Sequence, residues 1–139
     1  MLNKKVYFDA NIVLDIINAD CKGHKIAKKL WKNLTIAKYL IIISEDILTN
    51  VFYISKNKSE VLKFFKFVQD KWQIAPFGKD VINNAIDLSL EKNLDLEDML
   101  QCLCAKENDC EMLITHDKKF CDCGLSVYTI EEFLKIQEK

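Results

Sequence analysis

The chain has no arginine, a single proline and three glycines in 139 residues. Without arginine, any contact with phosphate must use lysine point charges, not the bidentate guanidinium fork. With so little proline and glycine, and no low-complexity stretch or repeat, there is no candidate linker. One compact domain over 1–139 is expected, long enough to bury a proper core. No apolar run approaches the ~20 residues of a membrane span; the longest, Tyr39-Leu40-Ile41-Ile42-Ile43, is strand-sized. Lys4 and Lys5 are followed closely by Asp9, which leaves no room for a secretory apolar core. A cytoplasmic protein with no membrane contact is therefore expected. The formal net charge of −1 excludes a globally basic nucleic-acid binder. The six cysteines lack the C-x₂₋₄-C spacing usual for structural zinc, and without a secretion signal they read as free thiols.

What the chain does have is alternation. Val6–Asp9 reads as a strand buried on both faces, followed by a helix over Asn11–Asn18. Gly23–Ala37 carries Ile26, Ala27, Leu30, Leu34 and Ala37 at helical spacing. Leu40–Ile43 is a second strand. Ser44 is placed to cap a third helix running to about Ser55, with Glu45 and Asp46 in its first turn. Ser59 is the expected cap of a fourth helix, whose apolar side is Val61, Leu62, Phe64, Phe65, Phe67 and Val68. Trp72–Ala75 is a short strand, Val81–Glu91 and Leu94–Lys106 are helices, and Glu111–Thr115 and Ser126–Tyr128 are strands. Thr129 with Glu132 has capping-box spacing before a final helix. Strands alternating with helices define an α/β fold with a mostly parallel sheet of four to five strands.

Three acids stand at one edge of that sheet. Asp9 ends the first strand, Asp117 follows the fourth, and Asp98 lies near the start of the sixth helix. Such an edge is where open α/β sheets bind ligands. Three carboxylates cannot remain bare ions together in a groove; their pKa values rise or a cation joins them. Hard divalent ions take oxygen ligands, and such an ion activates water for attack on a phosphodiester. Asn11 is placed to cap the first helix or to orient Asp9, Thr115 to hydrogen-bond a carboxylate, and Asp15 to be solvated or to support the site. No acid occurs between Asp20 and Glu45, whereas Lys22, Lys25, Lys28, Lys29, Lys32 and Lys38 do. They form a solvated helix face that can also meet phosphates.

Four segments resemble the PIN-domain family, the nuclease fold of VapC-type toxins. They are Tyr7-Phe8-Asp9-Ala10-Asn11-Ile12-Val13-Leu14-Asp15; Ile43-Ser44 through Thr49-Asn50-Val51-Phe52-Tyr53-Ile54; Asp95-Leu96-Glu97-Asp98-Met99-Leu100-Gln101; and Ile114-Thr115-His116-Asp117-Lys118-Lys119-Phe120. The resemblance covers essentially the whole chain. It implies a three-layer α/β/α fold and a Mg²⁺- or Mn²⁺-dependent endoribonuclease, the toxin of a type II toxin–antitoxin pair. It further implies a cognate antitoxin and a homodimer. Asp9, Asp98 and Asp117 would be the catalytic metal ligands, with Asp95 a supporting or additional one. Asn11 and Thr115 would act behind them, and Lys22, Lys25, Lys28, Lys29 and Lys32 would contact RNA.

The chain departs from the family at one position. Where the family places an acid on the third helix, this sequence aligns Asn50, which keeps an oxygen ligand but loses charge and cannot serve as a general base. An alternative reading follows: a PIN-like module that binds RNA or a partner without cutting. Haloacid-dehalogenase-like phosphatase chemistry is disfavoured because no Gly-Thr follows Asp9-Ala10-Asn11. A receiver domain is disfavoured because Asp9 has no acidic neighbour.

Overall fold

The computed structural model describes residues 4–138; the outer limits of the expected domain, 1–3 and 139, lie outside the described residues. Five parallel strands form one sheet: β1 (Lys4–Phe8), β2 (Tyr39–Ser44), β3 (Gln73–Ala75), β4 (Met112–Ile114) and β5 (Ser126–Tyr128), in the order β3-β2-β1-β4-β5. The central strands are the most apolar. Val6, Tyr7 and Phe8 pair with Ile41 and Ile42 on one side and with Met112, Leu113 and Ile114 on the other. All are buried. The edge strands β3 and β5 are three residues each, short enough to offer little unpaired backbone.

Seven helices flank the sheet: α1 (Ala10–Ile17), α2 (His24–Ile36), α3 (Glu45–Ile54), α4 (Lys58–Val68), α5 (Gly78–Lys92), α6 (Leu96–Glu107) and α7 (Ile130–Gln137). α2 buries Ala27, Leu30 and Leu34 and turns its lysines outward. Its Trp31 meets Phe64 of α4 edge-on at 5.7 Å, Phe64 meets Trp72 at 5.6 Å, and Trp72 meets Phe8 of β1 at 5.6 Å. Each such pair is worth about 0.5–1.5 kcal/mol beyond its buried area. This cluster locks α2 and α4 to the strand that ends at Asp9.

Two expectations for α4 are corrected. Its cap is Asn57, not Ser59: the Asn57 Oδ1 accepts from Glu60 N at 3.2 Å. Lys58 fixes that choice by donating to the carbonyls of Phe52 (2.7 Å) and Ser55 (3.0 Å) at the end of α3, so the chain turns before Ser59. The apolar side is also narrower than expected. Val61 and Val68 are buried, but Leu62 and Phe67 remain more than half exposed. α5 begins earlier than expected, at Gly78, whose φ of +81° few other residues adopt without strain. It ends where Asn93 takes the left-handed conformation.

Strand order reverses at β1. β2 and β3 lie to one side and β4 and β5 to the other, so the carboxyl ends of β1 and β4 flank the switch point where doubly wound sheets bind ligands.

Candidate metal centre

Asp9 leaves β1 directly into α1 and caps it, its Oδ1 accepting from Ala10 N at 2.9 Å. Capping and site roles are therefore combined in one side chain. Thr115, buried at the end of β4, donates its hydroxyl to Asp9 Oδ2 at 2.7 Å, as expected. The Thr115 hydroxyl oxygen in turn accepts from Asp117 N at 3.1 Å. Thr115 is thus the hinge that sets Asp9 and Asp117 relative to each other. Asp117 closes a local turn, accepting from Lys119 N at 2.9 Å.

Asn11 neither caps α1 nor touches Asp9 directly. Its Nδ2 donates to Thr115 Oγ1 at 3.3 Å and its Oδ1 accepts from His116 N at 3.2 Å, so it acts on Asp9 through Thr115. The reason is that Asp9 already occupies the cap position, which turns Asn11 toward the β4 loop. Asp95 is the N-cap of α6, accepting from Asp98 N at 3.0 Å. One of its oxygens is committed to the helix, as one of Asp9's is to α1.

Asp15 is not solvated. Its Oδ2 accepts from His116 Nε2 at 2.5 Å and its Oδ1 from Cys21 Sγ at 2.8 Å. A Cβ at position 23 would fall 2.3 Å from Asp15 Oδ2, so Gly23 is what allows the start of α2 to approach this carboxylate. Through Asp15 and His116, the lysine-bearing α2 begins beside the Asp117 loop.

The electrostatics of the edge are one-sided. Burial raises the Asp98 pKa, and the neighbouring charges of Asp95, Asp117, Asp9 and Glu97 add to it, so that it is pushed up to about 6. Burial also raises Asp9, with Asp117 adding to the effect and the Thr115 hydroxyl, the Ala10 N–H and the nearby His116 opposing it. Burial, then Asp46, Asp9 and Asp95, raise Glu97. Among the described residues the ion pairs are Lys63–Glu60 and His116–Asp15; neither neutralises Asp9, Glu97, Asp98 or Asp117. An all-oxygen set without a direct ion-pair partner fits a hard divalent cation. Among the described residues no three ligating side chains close into a preformed cage.

Sequence reasoning missed three members of this neighbourhood. Glu97 faces Asn50, whose Nδ2 donates to Glu97 Oε1 at 3.3 Å and to Asp46 Oδ2 at 3.1 Å. Gln101, fully buried on α6, donates to the same Asp46 oxygen at 3.2 Å and accepts from the hydroxyls of Tyr7 and Ser44. Helical spacing was the available signal: Asp46 and Asn50, and Glu97 and Gln101, are i,i+4 pairs. Beside Asp117, a groove of about 570 Å³ runs past Lys118, Phe120 and Tyr128 to Lys135.

The free-thiol expectation is corrected for two cysteines. Cys102 of α6 and Cys123 form a disulfide, with Cα atoms 6.2 Å apart. The segment after Asp117 folds back over α6, where Cys102 and Cys121 share a small second core with Ala85 and Met99. The bond ties the helix carrying Asp98 to the segment following Asp117. Cys21, Cys104, Cys110 and Cys121 are free.

A parallel sheet with uncompensated acids at its switch point defines the class of α/β proteins built around a carboxylate edge. The PIN domain family model matches residues 6–124, and the chain belongs to that family. It is 36% identical over 137 residues to Ribonuclease VapC1 of Aquifex aeolicus (strain VF5), covering 96% of this chain and 95% of that protein. Solved structures share the fold. VapC20 of Mycobacterium tuberculosis, described as a Sarcin-Ricin loop cleaving toxin, superposes with a TM-score of 0.70 at 13% identity over 86% of this chain and 95% of its own. A toxin–antitoxin complex from Klebsiella pneumoniae gives 0.69 at 22% identity, covering 90% and 97%. VapBC2 of Rickettsia felis, bound to a DNA fragment from its promoter, gives 0.67 at 18%, covering 88% and 96%.

Proposed function

We propose that this chain is an endoribonuclease that hydrolyses RNA phosphodiesters with Mg²⁺ or Mn²⁺, and that it is the toxin of a toxin–antitoxin pair. The observation that carries this is the convergence of Asp9, Asp98 and Asp117 on one sheet edge, where the Thr115 hydroxyl bonds both Asp9 and Asp117 N and, among the described residues, no lysine forms an ion pair with any of the three acids. The match to Ribonuclease VapC1 over nearly the whole chain supports the reaction, and the toxin–antitoxin complexes among its structural neighbours support the partner.

Asp9, Asp98 and Asp117 would hold the ion, which supplies water activation and neutralises charge developing on the phosphate. Thr115 holds Asp9 in place by its 2.7 Å bond, and Asn11 holds Thr115. Lys22, in the turn before α2, and Lys25, in its first turn, would meet the RNA backbone nearest the cut, with Lys28, Lys29 and Lys32 following along the helix. The chain would act as one domain, in the cytoplasm, where an RNA substrate is met. No described helix is long and apolar enough to cross a membrane. A homodimer is supported by the exposed apolar stripe Ile82, Ile86 and Leu90 on α5.

The second reading, a binding module without cleavage, is favoured by Asn50 at the position where the family carries an acid. Incubation of a generic RNA with purified protein and Mn²⁺, beside Asp9→Asn prepared identically, separates the two. Cleavage that needs the ion and disappears in the variant is expected. Intact RNA across several sequences and both metals would leave the binding module standing.

A further inference from the structure

Asn50 removes a charge from the third helix, yet the structure returns charge to the same spot. The Asn50 amide stands between two carboxylates, 3.1 Å from Asp46 Oδ2 and 3.3 Å from Glu97 Oε1. Only the nitrogen end can face them, because the oxygen end would bring a third acceptor against two others. A glutamate at position 50 would have the same defect. Asparagine is the residue that fits because Glu97 and Asp46 are already there.

Their placement is fixed from behind. Gln101 is 1% exposed, and its amide nitrogen bonds Asp46 at 3.2 Å. The Gln101 amide oxygen is held by Ser44 Oγ at 3.0 Å and by the Tyr7 hydroxyl, so Asp46 is anchored to the core of β1 and β2. Consecutive residues on a helix diverge by about 100°. Glu97 and Asp98 therefore approach the edge from different directions, Glu97 from the α3 side and Asp98 from the Asp117 side.

We infer that Glu97 of α6 supplies the carboxylate that α3 lacks, completing the divalent-cation site with Asp9, Asp98 and Asp117, while Asn50 is an amide bracket and not a ligand. The inference rests on the cation reading above and adds a ligand to it. It also explains how a family member can lose the helix-three acid without losing the charge of the site.

Mn²⁺ binding to the full chain without RNA, measured by calorimetry and by the loss of free Mn²⁺ signal in electron paramagnetic resonance, tests it. The variants are Asp98→Asn, Glu97→Gln, Asn50→Glu and the exchange Asn50→Glu/Glu97→Gln. Glu97 is exposed, so its amide variant folds, and thermal unfolding of each protein checks this. Glu97→Gln is expected to weaken Mn²⁺ binding by about 10-fold or more, at least what a lost supporting group costs a metal site. The exchange is expected to restore most of the loss by returning the acid to α3. Wild-type affinity in Glu97→Gln beside a clear loss in Asp98→Asn would overturn the role of Glu97 and leave the cation reading intact. A loss in Glu97→Gln that the exchange does not repair would overturn its equivalence to position 50. No Mn²⁺ binding by the wild type, or none that depends on Asp98, would overturn both readings together.

Discussion

Among the helices that begin with acids, α6 and α7 shift theirs in opposite directions. At α7, Thr129 and Glu132 satisfy each other. Glu132 N donates to Thr129 Oγ1 at 3.2 Å and Glu132 Oε1 accepts from Thr129 N at 2.8 Å. Those bonds hold the Glu132 carboxyl below its usual range, as the free N–H groups of a helix start should. At α6 the same local rule operates, with Asp95 capping Asp98 N, yet Asp98 is pushed up to about 6. The helix dipole is common to both, so it does not set the difference. What differs is the surroundings: Glu132 of α7 is exposed, whereas Asp98 of α6 is partly buried and lies near Asp95, Asp117 and Asp9. A helix-start acid that resists ionisation marks the place where the fold has gathered like charges.

The largest effect expected from this contrast is stabilisation by metal. Mn²⁺ at a hundredfold excess over its Kd should raise the unfolding free energy by about 2.7 kcal/mol. Asp98→Asn should abolish most of that gain, and Glu132→Gln should leave it unchanged. Urea titrations with and without Mn²⁺ read all three. Equal loss in the two variants would mean that the helix starts are not different in kind.

How much of this contrast was visible in the chain depends on the range of the interactions. The apolar runs of β1 and β2 and the caps Ser44 and Thr129 are local signals and were legible. That Asp9 and Asp117 follow neighbouring strands was legible because strand ends in a parallel sheet share an edge. The Asn57 cap was not, since Asn57 and Ser59 are nearly equivalent locally and Lys58 decides between them by reaching back to α3. The Asn50–Glu97 contact joins residues 47 apart, and the Cys102–Cys123 bond spans 21. Spacing alone does not disclose such pairs; they follow from how α6 lies against α3 and how the segment after Asp117 returns to α6. The two readings of Asp15, solvated or supporting the site, could not be separated because its partners, Cys21 and His116, come from either side of the fold.

A smaller effect is the pH dependence of the metal-free protein. Asp98 binds a proton more tightly folded than unfolded, so its contribution to stability is fully present below the ordinary aspartate value of 3.8 and is lost as pH rises toward about 6. Glu132 has the opposite sign: its lowered pKa contributes stability above the unfolded glutamate value, lost as pH falls through the folded one. Subtracting the stability profile of Asp98→Asn from that of the wild type should give a curve descending between these limits and flat above. Carbon-13 detection of the side-chain carboxyl should place the Asp98 midpoint directly. A midpoint in the ordinary aspartate range would remove the contrast between the two helices.

The smallest effects separate capping from crowding. Thr129→Ala removes a cap with no acidic neighbourhood, and should cost about 1 kcal/mol while leaving Mn²⁺ binding untouched. At the other helix, Asp95→Ser keeps an oxygen for Asp98 N but removes the charge that contributes most to the Asp98 shift after burial. Stability should change by no more than a few tenths of a kcal/mol, because serine and aspartate are near-equal caps, and the Asp98 midpoint should fall toward its ordinary range. A fall shows that neighbouring charge shares in raising Asp98. An unmoved midpoint would assign the shift to burial, and α6 would then differ from α7 in depth and not in the company its acids keep.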